Sequence, residues 1–256
     1  MLKRIIGRLR APKPRAAGYP PGPRGVTLYA IGDVHGRIDC LLRVQASIDR
    51  DRTLLHRSER VLELYIGDYV DRGPDSAAVL DNLVCRAGQT EMIALRGNHE
   101  MLMTSAMAGE VAFADWRRLG GLETAMAYGF SRQRLAAPGA IGPADLMATV
   151  PQAHRDFLAS LHPHFVLPPY CFVHAGLRPG VPLERQSERD LAWIRDDFLN
   201  YRGAFGYVVV HGHTPVRAIE FHPHRINIDT GAYLSNKLSV LRIDASGPAP
   251  LEVEAA

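Results

Sequence analysis

The chain has 256 residues, 46% of them hydrophobic and 22% charged, a globular composition that suits one large domain or one domain with a small insertion. No apolar run approaches the roughly 18 residues of a membrane-spanning helix, and three scattered cysteines, Cys40, Cys85 and Cys171, exclude a disulfide framework and point to buried thiols in a reducing, cytoplasmic compartment. The net charge of +3 belongs to one end: residues 1–25 hold seven of the 30 Lys and Arg and none of the 27 acids, so the body is acidic and no specific nucleic-acid binding is expected of it.

Within that end, Leu2, Ile5, Ile6 and Leu9 recur at helical spacing, with Lys3, Arg4, Arg8 and Arg10 mostly off the stripe. The pattern suits a peripheral contact with an anionic membrane surface or a partner, but it is shorter than the ~12–15 residues an isolated helix needs in water. No continuous apolar core follows the charges, so a secretory leader is not expected. Pro and Gly crowd 12–25 and mark an extended linker. Residues 1–25 are thus read as a basic tail, and 26–256 as the folded domain.

The domain opens with an apolar, strand-forming run at 26–31, followed by helical spacing over 37–50. The pattern repeats as strand 61–66, loop 67–74 and helix 76–84, and again as strand 92–95, loop 96–99 and helix 100–107. Strand and helix alternating at about 30 residues per unit predict parallel βαβ units. Residues 100–165 are rich in Ala, Leu and Met and are predicted to form a helical cap, broken at Gly120-Gly121 and Pro138-Gly139. Short strands are predicted at 170–173, 207–210, 225–228, 238–243 and 251–253, with one clear helix at 188–199. They suggest a second, mostly antiparallel sheet. The fold class is therefore α/β: two packed sheets in a sandwich flanked by helices.

Three strand-to-helix loops carry similar cargo: Gly32-Asp33-Val34-His35-Gly36, Gly67-Asp68-Tyr69-Val70-Asp71-Arg72-Gly73 and Gly97-Asn98-His99-Glu100. His174 and His213 follow later apolar strands, in Val173-His174-Ala175-Gly176 and His211-Gly212-His213-Thr214. Ligands gather at the carboxyl ends of strands in open α/β sheets, and glycine permits the close backbone approach that crowded sites need. Any one of these loops alone reads as a turn. Together they offer mixed oxygen and imidazole donors with no thiolate, a set suited to binuclear hydrolytic Mn, Fe or Zn rather than to structural zinc.

In order, the five motifs GDVHG, GDYVDRG, GNHE, HAG and GHT resemble those of the phosphoprotein phosphatases, specifically the short bacterial and phage members of the calcineurin-like metallophosphoesterase superfamily. The resemblance spans 26 to about 243. It implies that Asp33 and His35 hold one metal, that Asp68 bridges two, and that Asn98, His174 and His213 complete the second. It further implies two metal ions, Mn²⁺ first with Fe or Zn as alternatives, sharing a hydroxide that attacks phosphorus in line. His99 would be the general acid, oriented by Asp71, and Arg72 would clamp the phosphate.

A second clamp is implied at Arg195, in Leu191-Ala192-Trp193-Ile194-Arg195, which is similar to a tryptophan-x-arginine segment of the bacterial members; a surface ion pair with Asp196 or Asp197 is the alternative. His211 reads as a core or supporting histidine, and Glu100 as a group that caps or orients the following helix. The symmetrical diadenosine tetraphosphatases typically carry alanine at the position of Asp71 and Asp at that of Glu100, so DRG and GNHE favour the protein-phosphatase branch. The expected substrate is a phosphoprotein or a small phosphoester. A dinucleoside polyphosphate hydrolase and an inactive phosphate-binding docking protein remain the alternatives.

Overall fold

A computed structural model describes residues 18–137 and 139–254. In chain order the first half comprises β1 (Val26–Ile31), α1 (Ile38–Arg52), β2 (Arg60–Tyr65), α2 (Ser76–Ala87), β3 (Met92–Ala94), α3 (Asn98–Ala108), α4 (Phe113–Trp116), α5 (Leu122–Ala127), α6 (Arg132–Ala136), α7 (Pro143–Thr149) and α8 (Gln152–Ala159). The second half comprises β4 (His164–Leu167), β5 (Tyr170–Val173), α9 (Glu188–Trp193), α10 (Asp196–Leu199), β6 (Val208–His211), β7 (Glu220–His222), β8 (Arg225–Asn227), α11 (Ala232–Ser235), β9 (Val240–Asp244) and β10 (Gly247–Pro250).

The strands form two five-stranded mixed sheets, ordered β10-β9-β1-β2-β3 and β4-β5-β6-β8-β7. Side-chain alternation along β1 explains the layering. Leu28 and Ala30 join Leu62, Leu64, Phe172, Val210 and Ile226 in the apolar layer between the sheets. Tyr29 and Ile31 face the other way, onto α1, α2 and α3 through Leu41, Val44, Val79 and Met103. On the outer face of the second sheet, Cys171, Val173 and Val209 pack against Leu191 of α9 and Phe198 of α10. The order is therefore helices, sheet, sheet, helices, and the α/β two-sheet reading of the sequence holds.

Several local expectations are corrected. The second sheet is not mostly antiparallel: β5, β6 and β8 run parallel, and only the edge strands β4 and β7 are antiparallel to their neighbours. The stretch predicted at 238–243 joins the first sheet beside β1, because Leu241 and Ile243 alternate into the inter-sheet layer while Val240 faces the helices. Residues 251–253 form no strand, and β10 lies just before them. The single helix predicted at 188–199 is two, broken where Arg195 leaves helical geometry at φ −132° and ψ −93°. Cys85 is exposed, whereas Cys40 and Cys171 are buried.

The stripe of Leu2, Ile5, Ile6 and Leu9 lies outside the described residues. Part of the predicted linker is bound to the body: the Tyr19 hydroxyl donates to the carbonyl of His222, the Gly22 amide donates to Asp244 O (2.8 Å), and the Tyr170 hydroxyl donates to Pro20 O (2.5 Å). No helix among the described residues is long and apolar enough to cross a membrane.

One buried charge network braces the first sheet against α1 and α2. Glu63, on interior strand β2 and fully buried, accepts two hydrogen bonds from Arg86 (2.6 and 3.1 Å) and one from the Tyr65 hydroxyl (2.9 Å), and Arg86 also grips Asp49. Without Arg86 the buried Glu63 charge would keep only the Tyr65 hydroxyl and a longer contact from Arg52 (3.3 Å), and breaking a buried pair from one side is strongly destabilising. Arg86→Ala is therefore expected to lower unfolding free energy by roughly 3–5 kcal/mol, as read by urea denaturation.

Candidate metal centre

Asp33 and His35 follow β1, Asp68 follows β2, Asn98 and His99 follow β3, His174 follows β5, and His213 follows β6. Those strands run parallel within each sheet, so their carboxyl ends open on one side and their loops converge. All six residues predicted to hold metal are buried, and they are brought together around Asp68. Asp68 Oδ2 lies 3.3 Å from His174 Nε2, 3.4 Å from His35 Nε2 and 3.9 Å from His99 Nε2. Asn98 Oδ1 contacts His174 Nε2 (3.0 Å) and His213 Nδ1 (2.8 Å), and Asp33 Oδ2 accepts the His213 amide (3.0 Å).

Ring tautomers are fixed from behind. His35 Nδ1 donates to Val70 O (3.0 Å) and His174 Nδ1 to Ile66 O (3.1 Å), which aims each Nε2 into the site. Two clusters of donors, His35–Asp68–His99 and Asp68–His174–His213, each have ligand atoms within 4.8 Å of one another. They have Asp68 in common, which is consistent with a binuclear centre.

The donor set fits metal on its own physical evidence. Asp33 Oδ1 and His213 Nε2 are buried without any hydrogen-bond partner, and such orphaned atoms are costly unless something outside the protein satisfies them. Burial, together with the nearby charges of Asp229 and Asp68, holds the Asp33 carboxyl well above the usual carboxylate range. Burial opposes ionisation of Asp68 too, but His174 and His99 outweigh it and hold that carboxyl well below the range. A cation among them would relieve the repulsion and engage both orphaned atoms.

Backbone geometry is bent to this purpose. Six non-glycine residues among those described have positive φ, and five of them are His35, Asp68, Asp71, Arg72 and His213. Such conformations cost about 1–3 kcal/mol each and persist only where surroundings over-determine them. Glycine is required where loops touch: a Cβ on Gly97 would stand 2.2 Å from Asp68 Oδ1, and one on Gly212 2.0 Å from Asp33 Oδ1.

The other predicted site residues surround this cluster. His99 Nδ1 donates to Asp71 Oδ2 (2.7 Å), so its Nε2 faces Asp68. Burial works against charge on His99, but Asp68 and Asp71 prevail and its pKa is raised. Arg72 Nη1 reaches His35 Nε2 (3.0 Å), and its guanidinium lies 4.8 Å over the Tyr233 ring. Arg195, exposed at the α9–α10 break, donates from Nη2 to His213 O (3.2 Å), while Asp197 is taken by Arg178. His211 points into the core against Phe198, with Nδ1 donating to Gly212 O.

Sequence reasoning underrated Glu100 and missed Tyr233, Asp229, Trp116 and Thr124. Glu100 is more than a helix cap: its carboxylate accepts the amides of Gly97, Asp68, Tyr69 and Val70, at 2.7 to 3.2 Å, and so ties the second and third loops together. Tyr233, Trp116 and Thr124 carry no local sequence signal, because the residues they meet, Arg72 and Asp71, lie far along the chain. Glu100→Ala would leave four buried amides unpaired. It is expected to cost at least about 3 kcal/mol of stability and to weaken metal uptake, as read by urea unfolding and by metal titration of the purified chain.

Comparison with known proteins agrees with this geometry. The model of the calcineurin-like phosphoesterase family matches residues 26–243. Serine/threonine-protein phosphatase 1 of Salmonella typhimurium is 27% identical over 228 residues, covering 84% of this chain and 91% of that protein. The asymmetrical bis(5'-nucleosyl)-tetraphosphatase PrpE of Anoxybacillus flavithermus is 25% identical over 231 residues, covering 83% and 88%. A crystal structure assigned to a diadenosine tetraphosphatase superposes with a TM-score of 0.59 at 20% identity, over 89% of this chain and 95% of that one, and shares the fold. The chain belongs to the calcineurin-like phosphoesterase family, and it is a metal-dependent phosphoesterase.

Proposed function

We propose that the protein is a phosphomonoesterase of the protein-phosphatase type, acting on phosphoserine or phosphothreonine. The observation that carries this reading is the buried His99–Asp71 pair, 2.7 Å apart, beside the metal ligands. A serine or threonine alkoxide is a poor leaving group and needs a proton as the ester bond breaks, so an enzyme for such esters gains from a fixed acid. A nucleotide phosphate released from a dinucleoside polyphosphate leaves readily without one.

Asp33, His35, Asp68, Asn98, His174 and His213 would hold the two metal ions. When bound, the ions supply Lewis acidity for the phosphoryl oxygens and lower the pKa of a water from 15.7 toward about 7. The remaining work falls to the chain's own residues. Asp71 holds His99 with Nε2 aimed into the site, where it gives its proton to the departing oxygen. Arg72, its guanidinium laid over the Tyr233 ring, meets the phosphate oxygens with a planar, charge-assisted fork. Arg195, anchored on His213 O, offers a second cation at the rim. The basic end of the chain supports a separate proposal of peripheral contact with a membrane or partner.

The dinucleotide-hydrolase reading is favoured by the names of several relatives, and one experiment separates the two. Metal-stripped protein reconstituted with Mn²⁺ is expected to release phosphate from a phosphothreonine peptide faster than it cleaves diadenosine tetraphosphate; the reverse order would overturn the assignment. His99→Ala is expected to retain both metals and to slow alkyl phosphates about 100-fold or more, with activated aryl phosphates much less affected. Equal losses across leaving groups would remove His99 from the acid role.

A further inference from the structure

We propose that the cap segment 116–124 is the positioning device of the general acid, with Trp116 and Thr124 as its positioning residues. The inference rests on the reading of His99 as proton donor. Asp71 is fully buried, so no bulk water completes its hydrogen bonding, and an ionised carboxylate there needs protein donors on both oxygens. The cap supplies them. Trp116 Nε1 donates to Asp71 Oδ2 (2.8 Å), the same oxygen that receives His99 Nδ1. Thr124 Oγ1 donates to Asp71 Oδ1 (2.6 Å) and accepts the Asp71 amide (2.8 Å). The carboxylate plane is thereby fixed from two sides, and with it the direction of His99 Nε2.

The same segment holds the neighbouring phosphate clamp. The Arg72 amide donates to Gly120 O (3.2 Å). Asp71 and Arg72 are consecutive residues at φ 73° and 67°, a pairing that survives only when held from outside. The segment is itself kinked: between α4 and α5 Gly120 leaves helical geometry at φ 118° and ψ −1°, a left-handed conformation that glycine adopts without the Cβ penalty. A Cβ on Gly121 would come 2.5 Å from the Trp116 ring, so this glycine is what admits the indole to its seat under the cap. The cap is therefore read as part of the catalytic geometry, joined to the loop after β2 through 45 to 53 residues of sequence separation.

The test compares leaving groups in the Mn²⁺-loaded full chain. Trp116→Phe keeps a ring against Gly121 and deletes the indole donor, Thr124→Val is isosteric and deletes the hydroxyl, and Thr124→Ser restores it. Metal content and melting temperature are measured for each variant, and kcat and KM are measured on an alkyl phosphate and on 2,4-dinitrophenyl phosphate. Trp116→Phe and Thr124→Val are expected to lower kcat on the alkyl ester about tenfold, with KM and the dinitrophenyl rate nearly unchanged and Thr124→Ser close to wild type. In an Asp71→Asn background neither change should cost anything further. Equal losses on both esters, or losses that add to that of Asp71→Asn, would reduce the segment to ordinary packing. A flat leaving-group profile for His99→Ala would remove the acid and this inference together, whereas a steep one beside a flat Trp116→Phe would remove this inference alone. If Trp116→Phe does not fold, the Thr124 pair carries the same comparison.

Discussion

Five carboxylates, Asp33, Asp68, Asp71, Glu100 and Asp229, are buried together beneath one cluster of loops. Burying so much negative charge is permissible only if each group is paired, hydrogen-bonded or neutralised, and much of the molecule consists of the means for doing this. Glu100 is answered by four backbone amides, and Asp71 by His99, Trp116 and Thr124. Asp229 accepts the Gly231 amide (2.8 Å), and burial still lifts its pKa to about 6. Asp33 is left with an unpartnered oxygen, and Asp68 with imidazoles held at 3.3 to 3.9 Å. Glu100 and Asp71, with donors on both oxygens, are supports, and Asp33 and Asp68 are the ones suited to bind ions.

The fold serves this division of labour. Parallel strands in both sheets deliver their carboxyl ends to one side, so that loops from two different sheets can share Asp68. Positive-φ backbone at His35, Asp68, Asp71, Arg72 and His213 turns those side chains inward. The strain is sustained because stiff elements surround it: an interior strand β2 braced by the Glu63–Arg86 pair, and an α4–α5 segment that locks onto Asp71 and Arg72. Stability and site geometry are in this sense the same set of contacts viewed from two ends.

How much of this could be read from sequence followed the range of the interactions. The three βα units were legible because strand and helix periodicities, together with glycine-flanked acids, are local signals. The ligand motifs of all five loops were visible for the same reason. Which sheet a late strand would join was not, since 238–243 pairs with β1 across more than 200 residues of chain. The break at Arg195 was hidden inside a continuous helical pattern. Glu100 could be seen but not weighed, because three of its four partners lie in the preceding loop. Trp116 and Tyr233 look like ordinary aromatic residues until the fold sets one against Asp71 and the other beneath Arg72.

The central claim is that one carboxylate, Asp68, joins two ion sites into a single centre, and the most direct test is of the ions themselves. Equilibrium dialysis of the metal-free full chain against Mn²⁺, followed by elemental analysis and electron paramagnetic resonance, should give two ions per chain and the broadened, temperature-dependent spectrum of a magnetically coupled pair. One ion per chain, or two ions giving only the six-line signal of isolated Mn²⁺, would contradict the account.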